Sequence, residues 1–196
     1  LETFERFLVL CAGRTGQLLN YSSLASDCGI AVDTARRWIS ILNTSFLVFL
    51  LRPHHRNFNK RVIRSPKLYF QDTGLVCRLL GIRNREQLQS HPLRGELFEN
   101  MIISEVHKQY THHREEPPLY FWRDQTGHEI DLLIDQGSSL FPCEIKSGET
   151  VRTDMLKTLH WWNRLTGNPP EAAMLLYGGD GTSERNGIRI RPWYAV

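Results

Sequence analysis

The tightest constraint on the fold is a run of three short strand-like segments, residues 119–123, 129–134 and 140–145, separated by turn-forming residues 124–127 and 136–139. Segments this short and closely spaced pair into a sheet, and side chains alternate across each strand. Glu144 and Lys146 therefore share one face and Cys143 and Ile145 the other, while Asp131 shares a face with Glu129. Across a hairpin, Asp131 meets the Glu144-x-Lys146 unit: one carboxylate per strand with an ammonium beside them. Carboxylates are the ligands preferred by hard cations such as Mg²⁺ or Mn²⁺, which polarise phosphate and acidify water. Lys146 is placed to stabilise developing negative charge or to orient water. Glu99, on the preceding helical segment, is a third candidate ligand. With 21 acidic residues and Lys only at 60, 67, 108, 146 and 157, chance placement yields roughly half an acidic-x-Lys match per chain, so context carries the signal. Two readings stay open: a metal-dependent catalytic centre, or a salt-bridged polar cluster without metal.

Around these strands, residues 96–110 read as one long helix, 153–165 as another, and 172–177 and 187–191 as further strands, completing an α/β domain. Trp161 and Trp162 follow Leu156 and Leu159, so at least one belongs in the core.

The first half has a different character. Phe4, Phe7, Leu8 and Cys11 repeat at helical spacing up to Gly13. Asn20 or Ser22 can cap a second helix ended by Gly29, and a third carries Ala35, Trp38, Ile39 and Leu42. Two helices joined at Gly29 match a helix-turn-helix, and strand-like residues 45–51 and 67–70 supply a wing. Between those strands stand Arg52, Arg56, Lys60, Arg61, Arg64 and Lys67 with no carboxylate. Together with Arg36 and Arg37 on the third helix, they form a candidate nucleic-acid surface. The alternative is a solvated basic face, or one that packs on a neighbouring domain. The boundaries follow: a winged helix-turn-helix domain over 1–75, a polar connector over 76–95 and an α/β (α+β) domain over 96–196.

Composition excludes several classes. Hydrophobic residues are 41% and charged residues 23%, unlike a disordered chain. Apolar runs fall far short of the ~20 residues that span a bilayer. Glu2 and Glu5 precede the first apolar run where a signal peptide would be basic. Four dispersed cysteines show no zinc or disulfide spacing, and the pairs His54-His55 and His112-His113 read as solvated loops. A cytoplasmic chain without membrane contact is expected. Beginning at Leu1 and lacking a GxxxxGK[ST] loop, it reads as part of a longer protein.

Several stretches, in order, carry a resemblance: residues 65–75 (SPKLYFQDTGL), 95–105 (GELFENMIISE), 120–123 (YFWR), 127–131 (GHEID) and 142–148 (PCEIKSG). Together they resemble the C-terminal part of a widespread family of bacterial and archaeal AAA-type ATPases. That part pairs a winged helix with a domain similar to the PD-(D/E)xK, or restriction-endonuclease-like, fold: a central mixed sheet flanked by helices. The resemblance assigns Glu99, Asp131 and Glu144 with Lys146 to the acidic and E-x-K sites, with Mg²⁺ or Mn²⁺ at the three carboxylates. It implies ATP binding only through a preceding AAA domain, and makes DNA, that ATPase domain and a homo-oligomer the expected partners.

Overall fold

The computed structural model describes residues 1–54, 64–113 and 116–196. Arg56, Lys60 and Arg61 lie outside the described residues. The chain divides into two compact units, Leu1–Leu51 with Ser65–Ser104, and Arg52–Arg64 with Glu105–Val196.

In the first unit, α1 (Glu2–Ala12), α2 (Tyr21–Cys28) and α3 (Val32–Thr44) precede an antiparallel pair, β1 (Val48–Pro53) and β2 (Lys67–Phe70), in which Val48 faces Phe70 and Leu51 faces Lys67. Asn20 caps α2 by accepting from the Ser23 N–H. Gly29 ends that helix at φ 72°, a left-handed conformation that residues with a Cβ resist. Helix α3 buries Ala35, Ile39 and Leu42. Trp38 takes Phe4 and Phe7 edge-on, each at 5.1 Å between ring centres.

After β2 come α4 (Thr73–Leu79), capped by Asp72, and α5 (Arg85–Ser90). The latter lies where a polar connector was expected. It forms because Asn84 accepts from the Gln87 N–H and Leu88 packs on the apolar core.

Helix α6 (Arg94–His112) contributes to both units. Its Asn100 is fully buried in the first: Oδ1 accepts from Thr15 Oγ1 (2.6 Å) and the Phe70 N–H (2.8 Å), while Nδ2 donates to the Phe70 carbonyl and Thr73 Oγ1 (3.0 Å each). One amide thus satisfies four groups of the helix–strand junction.

The second unit is built on a mixed sheet. Strands β3 (Leu119–Arg123), β4 (Glu129–Asp135) and β5 (Leu140–Lys146) form an antiparallel meander. Strand β6 (Met174–Tyr177) then pairs parallel to β5, and β8 (Ile188–Pro192) parallel to β6. Strand β7 (Ser183–Arg185) returns antiparallel to β8 through Asn186 and Gly187. Both turn residues have positive φ (51° and 81°), as a two-residue hairpin of primed type demands. On the opposite edge, the end of β1 pairs parallel to β3, Arg52 with Tyr120 and Pro53 with Phe121.

One sheet face buries Leu133, Leu140, Leu175 and Tyr177 beneath Leu156 and helix α7 (Lys157–Thr166), whose Leu159 and Trp162 are fully buried. The other face carries Leu132, Cys143 and Leu176 toward Val106 and Tyr110 of α6, around an open cavity of about 480 Å³. Among the described residues no helix is long and apolar enough to cross a membrane.

Candidate functional site

The antiparallel ladder between β4 and β5 ends at the Leu132–Cys143 pair. One residue further along each strand stand Asp131 and Glu144. The Ile145 N–H donates to Asp131 Oδ2 at 2.9 Å, so a side chain takes the place of a backbone acceptor where the strands part. Lys146 Nζ reaches both carboxylates, at 2.9 Å to Asp131 Oδ2 and 2.7 Å to Glu144 Oε2. The sheet thus brings together three of the four residues singled out for chemistry.

Their environments differ. Glu144 is 2% exposed and Asp131 8%, whereas the Lys146 side chain keeps 37% of its surface open. Burial, reinforced by the neighbouring Asp131 charge, holds the Glu144 carboxyl well above the usual carboxylate range. For Lys146, burial opposes the charge, but Asp131 and Glu144 outweigh it and hold the ammonium above its ordinary value. Glu144 Oε1 is buried and has no hydrogen-bond partner among the described residues.

A buried, unpartnered carboxylate oxygen beside a second carboxylate fits a hard divalent cation. Mg²⁺ is commonly held by one or two protein carboxylates, with water and substrate oxygens filling the rest of its shell. Among the described residues no group of three His, Cys, Asp or Glu side chains is disposed around one metal position, so Asp131 and Glu144 are the two carboxylates that could enter such a shell.

Glu99 belongs to the first unit. There it accepts from the Tyr69 hydroxyl and pairs with Lys67 at 3.0 Å. Lys67, counted among the basic residues of the wing, is itself buried, because all four residues of β2 face inward. Of the candidate nucleic-acid residues, Arg36 and Arg37 are exposed on α3, with Arg36 over the Tyr21 ring at 4.5 Å, and Arg52 and Arg64 are exposed in the second unit. His54, expected in a solvated loop, is buried: its N–H donates to the Phe121 carbonyl, its ring meets Tyr120 edge-on, and Nε2 lies 3.2 Å from Asp135 Oδ2.

Asp124, read from the sequence only as a turn residue, proves to be a buried anchor of that turn. This buried carboxylate accepts from the Thr126 N–H and hydroxyl and from the His128 N–H, fixing the turn before β4. Burial opposes its charge, but those hydrogen bonds prevail and hold it below its ordinary value. An Asp opening a turn five residues before a strand was the available signal.

Fold and cluster together define a class: an α/β domain with a paired-carboxylate and lysine centre where two strands of a mixed sheet diverge. Residues 94–196 match the family described as Domain of unknown function (DUF4143), and the chain belongs to that family. Residues 1–86 match a second one, Domain of unknown function (DUF8612). Uncharacterized proteins of Mycobacterium tuberculosis and Mycobacterium bovis are each 35% identical over 148 residues, covering 76% of this chain and 33% of theirs. The chain thus spans about one third of the length of the curated relatives it matches. No solved structure matches it.

Proposed function

We propose that this chain is the C-terminal region of an AAA-type ATPase, a winged helix followed by a PD-(D/E)xK-like domain, and that its second unit is a metal-dependent nuclease-like centre acting on DNA in the cytoplasm. The observation that carries this reading is the buried, unpartnered Glu144 Oε1 beside Asp131, with the Lys146 ammonium between the carboxylates and solvent. Asp131 and Glu144 would hold Mg²⁺ or Mn²⁺. When bound, such a cation supplies Lewis acidity toward a phosphate oxygen and an acidified water. Lys146, the open member of the cluster, stabilises negative charge developing on the phosphate. The Ile145 N–H fixes the orientation of Asp131. Arg36 and Arg37 are exposed on the helix expected to meet a groove, which supports a DNA role for the first unit.

A second reading rests on a specific observation of its own. Lys146 already closes both carboxylates, as it does in a salt-bridged module that binds without cutting. Calorimetric titration with Mg²⁺ and Mn²⁺, run beside cleavage assays on labelled single- and double-stranded DNA, separates the two. The nuclease reading expects metal uptake lost in Asp131→Ala, and cleavage lost in Asp131→Ala and Lys146→Ala with DNA binding kept in the latter. Absence of metal uptake at millimolar concentration would overturn it in favour of the module.

A further inference from the structure

The second unit has another cavity, away from the carboxylates in composition and chemistry. It is open, holds about 680 Å³, and is lined by His128 and Asn186 together with Lys157, Thr158, His160, Trp161 and Arg164 of α7. Among the described residues no carboxylate lines it. Lys157, His160 and Arg164 lie three and four residues apart, on one helix face. None of the three has an ion pair or side-chain hydrogen bond among the described residues, so their donors are open to a ligand.

The cavity also has an aromatic wall. The His128 ring lies flat on Trp161, with centres 4.0 Å apart and planes 2° from parallel. Trp161 also meets Trp122, at 5.4 Å and tilted. His128 keeps 44% of its side chain exposed. Its orientation is set in advance, because Nδ1 lies 2.9 Å from Thr126 Oγ1 and 3.3 Å from Asp124 Oδ2, and Asp124 holds the turn. A flat ring fixed beside two open cationic side chains, Lys157 and Arg164, and the imidazole of His160 matches a ligand with alternating planar and anionic groups. Stacking of bases on aromatic rings plus cation–phosphate contact is how single strands are held without sequence preference. A duplex keeps its bases stacked on one another and offers none to the ring.

We infer that the His128–Trp161 pair and the side chains of Lys157, His160 and Arg164 form a binding site for single-stranded nucleic acid, with a base on the ring pair and phosphates on the helix face. The ligand class rests on the nucleic-acid reading proposed above, but the site does not need the metal centre. It is therefore tested in EDTA on the 196-residue chain. An unstructured oligothymidylate of about eight nucleotides, within the span one such groove covers, is titrated while the Trp161 indole and His128 ring signals are followed by NMR, assigned through Trp161→Phe and His128→Gln.

Upfield movement of both signals with the oligonucleotide, absent with inorganic phosphate, is expected. Lys157→Ala combined with Arg164→Ala weakens binding about tenfold and makes the salt dependence shallower by about 1.4 in log–log slope, at ~0.7 per phosphate contact on a single strand. Both residues are exposed, so the variant folds as the parent does, checked by its thermal midpoint. Unmoved Trp161 and His128 signals, equal movement with phosphate alone, or an unchanged salt slope in the double variant overturns the site. Failure of Mg²⁺ uptake at Asp131 and Glu144 leaves it standing.

Discussion

Lys146→Ala tests the electrostatics of the candidate centre most directly. The substitution leaves two carboxylates, one of them 2% exposed, without their shared cation. Removing one partner of a fully buried pair costs about 3–5 kcal/mol. Since the Lys146 side chain is 37% open to solvent, screening reduces this to about 2 kcal/mol. In a chain of this size each kcal/mol moves the thermal midpoint by about 2–4 °C, so a fall of about 4–8 °C is expected at neutral pH. The pH dependence follows from the direction of the Glu144 shift. A carboxyl whose folded-state value is raised favours the folded form while protonated. That stability is fully present below its ordinary value of 4.5 and is lost as pH rises through the folded value. Without the ammonium the folded value climbs further, so the deficit of the variant is full at neutral pH and shrinks on acidification toward about pH 4. Circular-dichroism melts of both proteins across that range measure it. Equal midpoints at neutral pH, or a deficit that grows on acidification, would refute the reasoning.

Asn100→Ala removes an amide that serves Thr15, Phe70 and Thr73, stranding buried backbone groups of Phe70; a loss of about 3 kcal/mol in urea unfolding is expected. Gly187→Ala puts a Cβ at φ 81°, only 2.5 Å from Pro170 Cβ. The β7–β8 hairpin is expected to loosen by at least about 1–2 kcal/mol, read from faster amide exchange in those strands. Burial pushes the Cys11 thiol up to about 12 and the Cys143 thiol higher still. At mildly alkaline pH a disulfide reagent should therefore modify half-buried Cys77 first, with Cys11 and Cys143 reacting only on unfolding, as peptide mapping would show.

What the sequence disclosed follows the range of the interactions involved. Helices α1 to α3 and strands β3 to β5 were legible because their signals are local: Asn20 as a cap, Gly29 as a stop, and alternation bracketed by turn residues. The pairing of Asp131 with Glu144 and Lys146 was legible too, since strand register follows from the turn between them. Strand β7 was not, although Asn186-Gly187 is a strong hairpin dipeptide, because three exposed residues carry no apolar pattern. Lys67 and His54 read as surface groups; partners 32 and 81 residues away bury them. Asn100 escaped for the same reason, its role being set by a strand 30 residues earlier. A polar residue's environment depends on what the rest of the chain brings to it, and no local window contains that.

The Ile145 N–H bond to Asp131 has a consequence for how such a motif persists. Where two strands diverge, the first amide past the fork loses its rung, and an acceptor must come from elsewhere. Asp131 supplies it, so the acidic residue is a splice in the sheet as well as a source of charge. Pressure to keep β4 and β5 joined is enough to hold an acceptor at that position, and Lys146 is then wanted to neutralise it. The backbone role of Asp131 stands whether or not the cluster carries chemistry. Aspartate, asparagine and alanine at position 131 take the two roles apart: asparagine can keep the splice while giving up the charge, and alanine gives up both.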